Sequence, residues 1–153
     1  MENKEKTQER EETKEFKPTL VIDGTGIILG RLASYAAKQA LLGKVIAIVN
    51  CNDIAVSGNK DNIIFEYQRL RKLDKSNQKG PIFPKVAEKI TKRTIRGMLS
   101  YKQQRGEKAL DRVRCYNSIP AELVSAKKIT LKDFSIESKE VKSLTLKEID
   151  KLI

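Results

Sequence analysis

Lys85, Lys89, Lys92 and Arg96 recur at intervals of three and four residues, the spacing that puts side chains on one side of a helix. At about 100° per residue, with Lys85 as the origin, Lys89 falls near ~40°, Lys92 near ~340° and Arg96 near ~20°. Val86, Ala87, Ile90, Thr94 and Met98 occupy the opposite side, with Arg93 at the border. A helix over 85–99 therefore packs through one face and offers a row of cations on the other. Such a row suits successive phosphates; the plain alternative is a solvated helix face. Like charges four residues apart repel by a few tenths of a kcal/mol, and only Glu88 is nearby to offset them, so the stripe is locally unfavourable until an anion binds. The next segment, Ser100-Tyr101-Lys102-Gln103-Gln104-Arg105-Gly106, mixes cations, amides and one ring, a composition that can follow a phosphate backbone. Tyr101 could stack on a base, but with four Phe and four Tyr in all, base stacking is not expected to be the main grip.

The charge balance agrees. The 153 residues carry 31 Lys and Arg against 20 Asp and Glu, a net charge of +11. Residues 69–114 hold 15 of the cations and only four of the acids, so the whole excess lies in that block, where a binding face needs it. Residues 1–17 carry six acids and five cations with only Met1 and Phe16 as large apolar groups, and are expected to form a disordered tail ahead of one domain over 18–153. There is no histidine, which removes Ser-His-Asp and Cys-His catalysis and every His-containing zinc site. Cys51 and Cys115 are too few and too far apart for a CxxC motif and are expected to be buried, reduced thiols. No stretch approaches the roughly 18 apolar residues of a membrane span and no signal peptide is recognisable, so a soluble intracellular protein is expected.

Gly24, Gly26 and Gly30 follow an apolar run and precede a helical pattern, the setting of a dinucleotide fingerprint. The spacing is GxGxxxG, one residue longer than that fingerprint, and Asn50 stands where an acidic ribose ligand belongs. A tight turn is the stronger reading; an NADP-dependent oxidoreductase is the enzyme alternative. Gly43-Lys44 lacks the upstream glycine and following hydroxyl of a P-loop.

Several elements must position these residues. Strands are expected at 19–22, 44–50, 54–57, 112–116 and 128–131, and a helix over 29–42 with Leu29, Leu32, Ala33, Ala36, Ala37, Ala40 and Leu41 inward and Gly43 as its stop. The order strand, helix, strand makes a parallel crossover unit. A second helix, started by Asn59 or Asp61, runs to about Leu73, a loop spans 74–84, and 120–126 forms a short helix or turn. Thr145 and Glu148 have capping-box spacing ahead of a closing helix expected to dock on the sheet.

The segments DGTGIILGRLAS, KVIAIVNCNDIAVSGN and RTIRGMLSYKQQRGEKAL and the Ile119-Pro120 pair resemble, in that order, the family of ribosomal protein thirteen of the large subunit, most closely its archaeal and eukaryotic branch. The resemblance covers about residues 19–120. It implies a three-layer α/β/α sandwich around a small, mostly parallel sheet, no catalysis, no cofactor, no small-molecule substrate and no membrane. The implied partners are large-subunit ribosomal RNA and neighbouring large-subunit proteins, in the cytoplasm within the ribosome. Carried over residue by residue, it places Arg93, Arg96, Gly97, Lys102, Arg105 and Gly106 in an RNA-contacting segment and Arg31 at the start of a helix near RNA, with the two glycines allowing close backbone approach. With Lys79, Lys85, Lys89 and Lys92 these complete the candidate RNA-binding set. Two positions depart from the family pattern: Ser100 replaces a usual proline, which bears on how the basic helix stops, and Asn117-Ser118 replaces a common glycine, which bears on a turn.

Overall fold

Strands β1 (Leu20–Asp23) and β2 (Ile46–Val49) run parallel in the register Leu20 to Ile46 through Asp23 to Val49, joined by helix α1 (Leu29–Leu41). This is the crossover that the two apolar runs and the intervening 3.6-residue pattern require. In the computed structural model, which describes residues 16–75, 82–136 and 142–152, β4 (Val113–Cys115) lies parallel to β2 and β5 (Lys128–Thr130) parallel to β1, in the order β4-β2-β1-β5. Of the expected tail 1–17, only Phe16 and Lys17 fall within the described residues.

The run from Ile46 to Val49 is wholly buried because both faces of the sheet are covered. Leu20, Ile22, Ile46 and Ile48 join the main core with α1 and helix α3 (Ala87–Gly97), while Val21, Ala47 and Val49 face the other way onto Leu123, Ile119, Tyr116 and Phe16. The result is an α/β sandwich whose second outer layer is thin, built around the 3₁₀ turn Ala121–Leu123. On α1 the buried residues are Leu29, Leu32 and four alanines, and the alanines let it pack closely beside α3. Leu41, expected inward, is 41% exposed at the last residue of the helix. Gly43 closes α1 at φ +91°, donating its amide to the Ala40 carbonyl, in the left-handed conformation glycine adopts without strain.

A smaller sheet pairs β3 (Ala55–Ser57) antiparallel to β6 (Ser143–Thr145), a strand too short and too polar to show an alternating pattern. Helix α2 (Lys60–Lys75) follows β3 as expected. Helix α4 (Gln104–Asp111) was not foreseen: Gly106 weakens its helical signal, and it buries only Gly106 and Ala109. The closing helix α5 (Leu146–Leu152) begins with the expected capping box, the Glu148 carboxylate accepting from the Thr145 amide at 2.9 Å and hydroxyl at 3.0 Å. Those bonds hold the Glu148 carboxyl below its ordinary range. Rather than docking on the four-stranded sheet, α5 packs on the 3₁₀ turn Cys51–Asp53, α2 and α3.

Candidate nucleic-acid interface

Helix α3 is held from beneath. Ala87, Ile90, Thr91 and Ile95 are its buried residues, which rotates the packed face from the expected one: Val86 and Met98 are exposed, and Thr91 and Ile95 are fully buried. A buried threonine is tolerated because its hydroxyl donates to the Ala87 carbonyl at 2.9 Å. The helix starts at Ala87, so Lys85 lies before it, exposed and off the helical stripe. No side chain of the preceding residue caps it; instead the Glu88 amide donates to Asn117 Oδ1 at 3.0 Å, so the residue that departs from the family pattern supplies the cap. The helix stops at Gly97 without the usual proline, followed by a turn in which Leu99 is buried.

Lys89, Lys92 and Arg96 point to solvent on the opposite side, as the spacing requires. Among the described residues none of them, nor Lys102 or Arg105, forms an ion pair; the ion pair there is Arg69 with Glu66 on α2, at 2.6 Å. The cations thus stand without carboxylate partners. Arg96 lies over the Tyr101 ring at 5.1 Å, so this tyrosine supports a cation as well as being 45% exposed. Arg93 is half-buried and fixed twice, its guanidinium 4.0 Å from the centre of the Phe83 ring and donating to the Ile82 carbonyl at 3.0 Å. Pro84, Lys89, Lys92, Arg93, Arg96 and Leu110 line an open groove of about 260 Å³ between α3 and α4. Leu110 could not be foreseen as part of it without α4, and Pro84 has no sequence signal beyond standing just ahead of α3.

The remaining candidates separate. Lys102 and Arg105 are exposed, just before and at the start of α4, and Arg31 is half-buried in the first turn of α1. Lys79 lies outside the described residues. Gly97 is exposed, and a Cβ there would meet nothing within 4 Å. Gly106 is buried, and its missing Cβ makes room for the chain itself: a Cβ would overlap the Ser100 carbonyl and sit 2.9 Å from the Tyr101 nitrogen. The close approach that the described residues show at Gly106 is thus to the chain's own backbone.

The glycine turn offers no dinucleotide cradle. The Gly24 amide donates to Val49, the Gly26 amide to Asp53 and the Thr25 amide to Asp23 Oδ1, so the amides that would hold a pyrophosphate are engaged. Gly24 lies against Ile54, where a Cβ would stand 2.7 Å from its Cγ1. Asp23 also accepts from the Thr25 hydroxyl at 2.7 Å and from Asn50 Nδ2 at 3.0 Å. Burial works to raise its pKa, but these bonds and the charge of Lys128 prevail and hold the carboxyl below its ordinary range. The NADP alternative loses its site. Cys51 is buried and Cys115 half-buried, both free; a hydrogen bond shared with Cys51 and burial push the Cys115 thiol up. Among the described residues there is no group of acidic residues or thiols that could hold a metal ion, and no helix long and apolar enough to cross a membrane.

The fold and this face define a basic α/β domain presenting an unneutralised cationic helix. Residues 17–122 match the family described as ribosomal protein L13, and the chain belongs to that family. It is 46% identical over 114 residues to the large ribosomal subunit protein uL13 of Methanosarcina barkeri, covering 74% of this chain and 81% of that protein. Proteins of the same name from Methanocaldococcus jannaschii and Archaeoglobus fulgidus are 43% and 40% identical, covering 86% and 87% of this chain and 94% and 86% of theirs.

Proposed function

We propose that this chain is a structural constituent of the large ribosomal subunit that binds ribosomal RNA and supports subunit assembly and translation, within the cytoplasmic ribosome. One observation carries the reading: the exposed Lys89, Lys92 and Arg96 of α3 have no carboxylate partner among the described residues. Leaving like charges unpaired on one helix face costs stability that phosphates return, since each neutralised phosphate releases condensed counterions. Lys102, Arg105, Arg31, Lys85 and Lys79 extend the contact, and Arg93 braces the segment before α3. Gly97 lets the backbone come close. The domain over 18–153 acts as a rigid platform, with 1–17 as an appended tail whose Phe16 packs on the sheet; neighbouring large-subunit proteins are further partners. This role uses no catalytic residue, cofactor, small-molecule substrate or membrane.

The test is equilibrium binding to large-subunit ribosomal RNA at several salt concentrations. Replacing Lys89, Lys92 and Arg96 together by Ala should weaken binding and reduce the slope of log affinity against log salt by about 2–3, roughly one for each phosphate that the variant leaves without a cation. An unchanged affinity and slope would remove the α3 face from the mechanism.

A further inference from the structure

The groove between α3 and α4 is built unlike a simple phosphate track. Its rim is cationic, with Lys89, Lys92 and Arg96, but Pro84 and Leu110 give it an apolar wall that offers a phosphate no donor. Its volume, about 260 Å³, falls just below the usual range for drug-sized ligands and exceeds what one phosphate fills. Arg93 also has two sides in use. It lines both this groove and a separate hollow that Phe83 helps to line, while Phe83 does not line the groove. The guanidinium is held over the Phe83 ring, with the Ile82 carbonyl fixing its position, and the half-buried Arg93 side chain also lines the groove.

We propose that this groove seats one unstacked nucleobase of the bound RNA, its π-face on the Arg93 guanidinium, its edge against Pro84 and Leu110, and its flanking phosphates on Lys89, Lys92 and Arg96. The proposal rests on the RNA-binding reading above and adds a base to a contact otherwise made of phosphates. Splayed-out bases of single-stranded RNA commonly stack on aromatic rings or arginine planes. A guanidinium already backed by a ring and tied by a hydrogen bond loses little further freedom when a base stacks on it. Lysine, a compact point charge, provides no such plane.

The test uses the full chain and transcripts of large-subunit ribosomal RNA. Arg93→Lys keeps the charge and removes the plane; Leu110→Trp fills the groove and changes no charge. Each should weaken binding about tenfold, the scale of one base stack, while leaving the salt slope at its original value. Thermal midpoints check that both variants fold. In parallel, native particles are irradiated with short-wave ultraviolet light and nucleotide adducts on the unaltered chain are mapped, a readout independent of either variant's folding. Adducts on Pro84, Arg93 or Leu110 support the seat. Folded variants that bind within twofold of the original chain, or adducts confined to other segments such as 102–105, overturn it and leave phosphate contacts alone. A parent chain showing no salt-dependent RNA binding would defeat the RNA reading itself, a separate result.

Discussion

Replacing Gly106 by Ala sets a favourable and an unfavourable effect against each other, and the structure decides the sign. In a helix interior alanine is better than glycine by about 1 kcal/mol. At this position, however, the new Cβ would overlap the Ser100 carbonyl oxygen and carbon, inside the 3.0 Å that real Cβ atoms keep. The obstacle is backbone, which cannot swing aside as a side-chain tip does. The turn from Met98 to Gln103 must move, and with it the Gln103 amide bond to the Ser100 carbonyl. Overpacking costs about 1–3 kcal/mol, and an overlap with backbone this close belongs in the upper part of that range, so after the helical gain a net loss of about 1–2 kcal/mol is expected, lowering the thermal midpoint by about 2–8 °C for a chain of this size. Gly97→Ala is the control: its Cβ meets nothing within 4 Å, so it should stabilise by up to about 1 kcal/mol. Calorimetry of the RNA-free protein measures both. A Gly106→Ala variant as stable as the parent would refute the packing argument. If RNA does come close to Gly97, the alanine variant should bind more weakly although it is more stable.

Asn117→Ala should cost about 1 kcal/mol through loss of the acceptor for the Glu88 amide, with Asn117→Asp recovering most of it; equal thermal midpoints for all three proteins would dismiss the cap. Asp23 has a folded pKa below its ordinary value, so its contribution is present above that ordinary value, about 3.9, and is lost as pH falls through the lower folded pKa. Asp23→Asn should therefore flatten the fall of the thermal midpoint below about pH 4, and parallel curves would contradict the assignment. Cys51 is fully buried and should resist thiol reagents until the chain unfolds, whereas labelling at the rate of an exposed thiol would show that the β2–β4 end of the sheet opens.

What the sequence showed depended on how each element is stabilised. The β1-α1-β2 unit was legible because continuous apolar strands flank a helix with a regular buried stripe. On α3 the cationic side was legible at Lys89, Lys92 and Arg96, but the packed side was misplaced, because Thr91 satisfies its hydroxyl within its own helix and so hides in the core as an apolar residue would. Helix α4 and strand β6 escaped notice since tertiary packing holds them: α4 needs a glycine where the chain crosses itself, and β6 has three residues. Residue types gave the interface its charge. They could not show that Arg93 is clamped on Phe83 or that Pro84 and Leu110 complete a groove, because those juxtapositions depend on how separate segments fold together.

Sedimentation of native lysate through sucrose asks whether the chain resides in the ribosome through RNA. Fractions collected at moderate and then high salt are probed for this chain. Co-migration with the large subunit that survives the moderate wash and weakens only as salt rises is expected. A chain that stays at the top of the gradient under both conditions would contradict it.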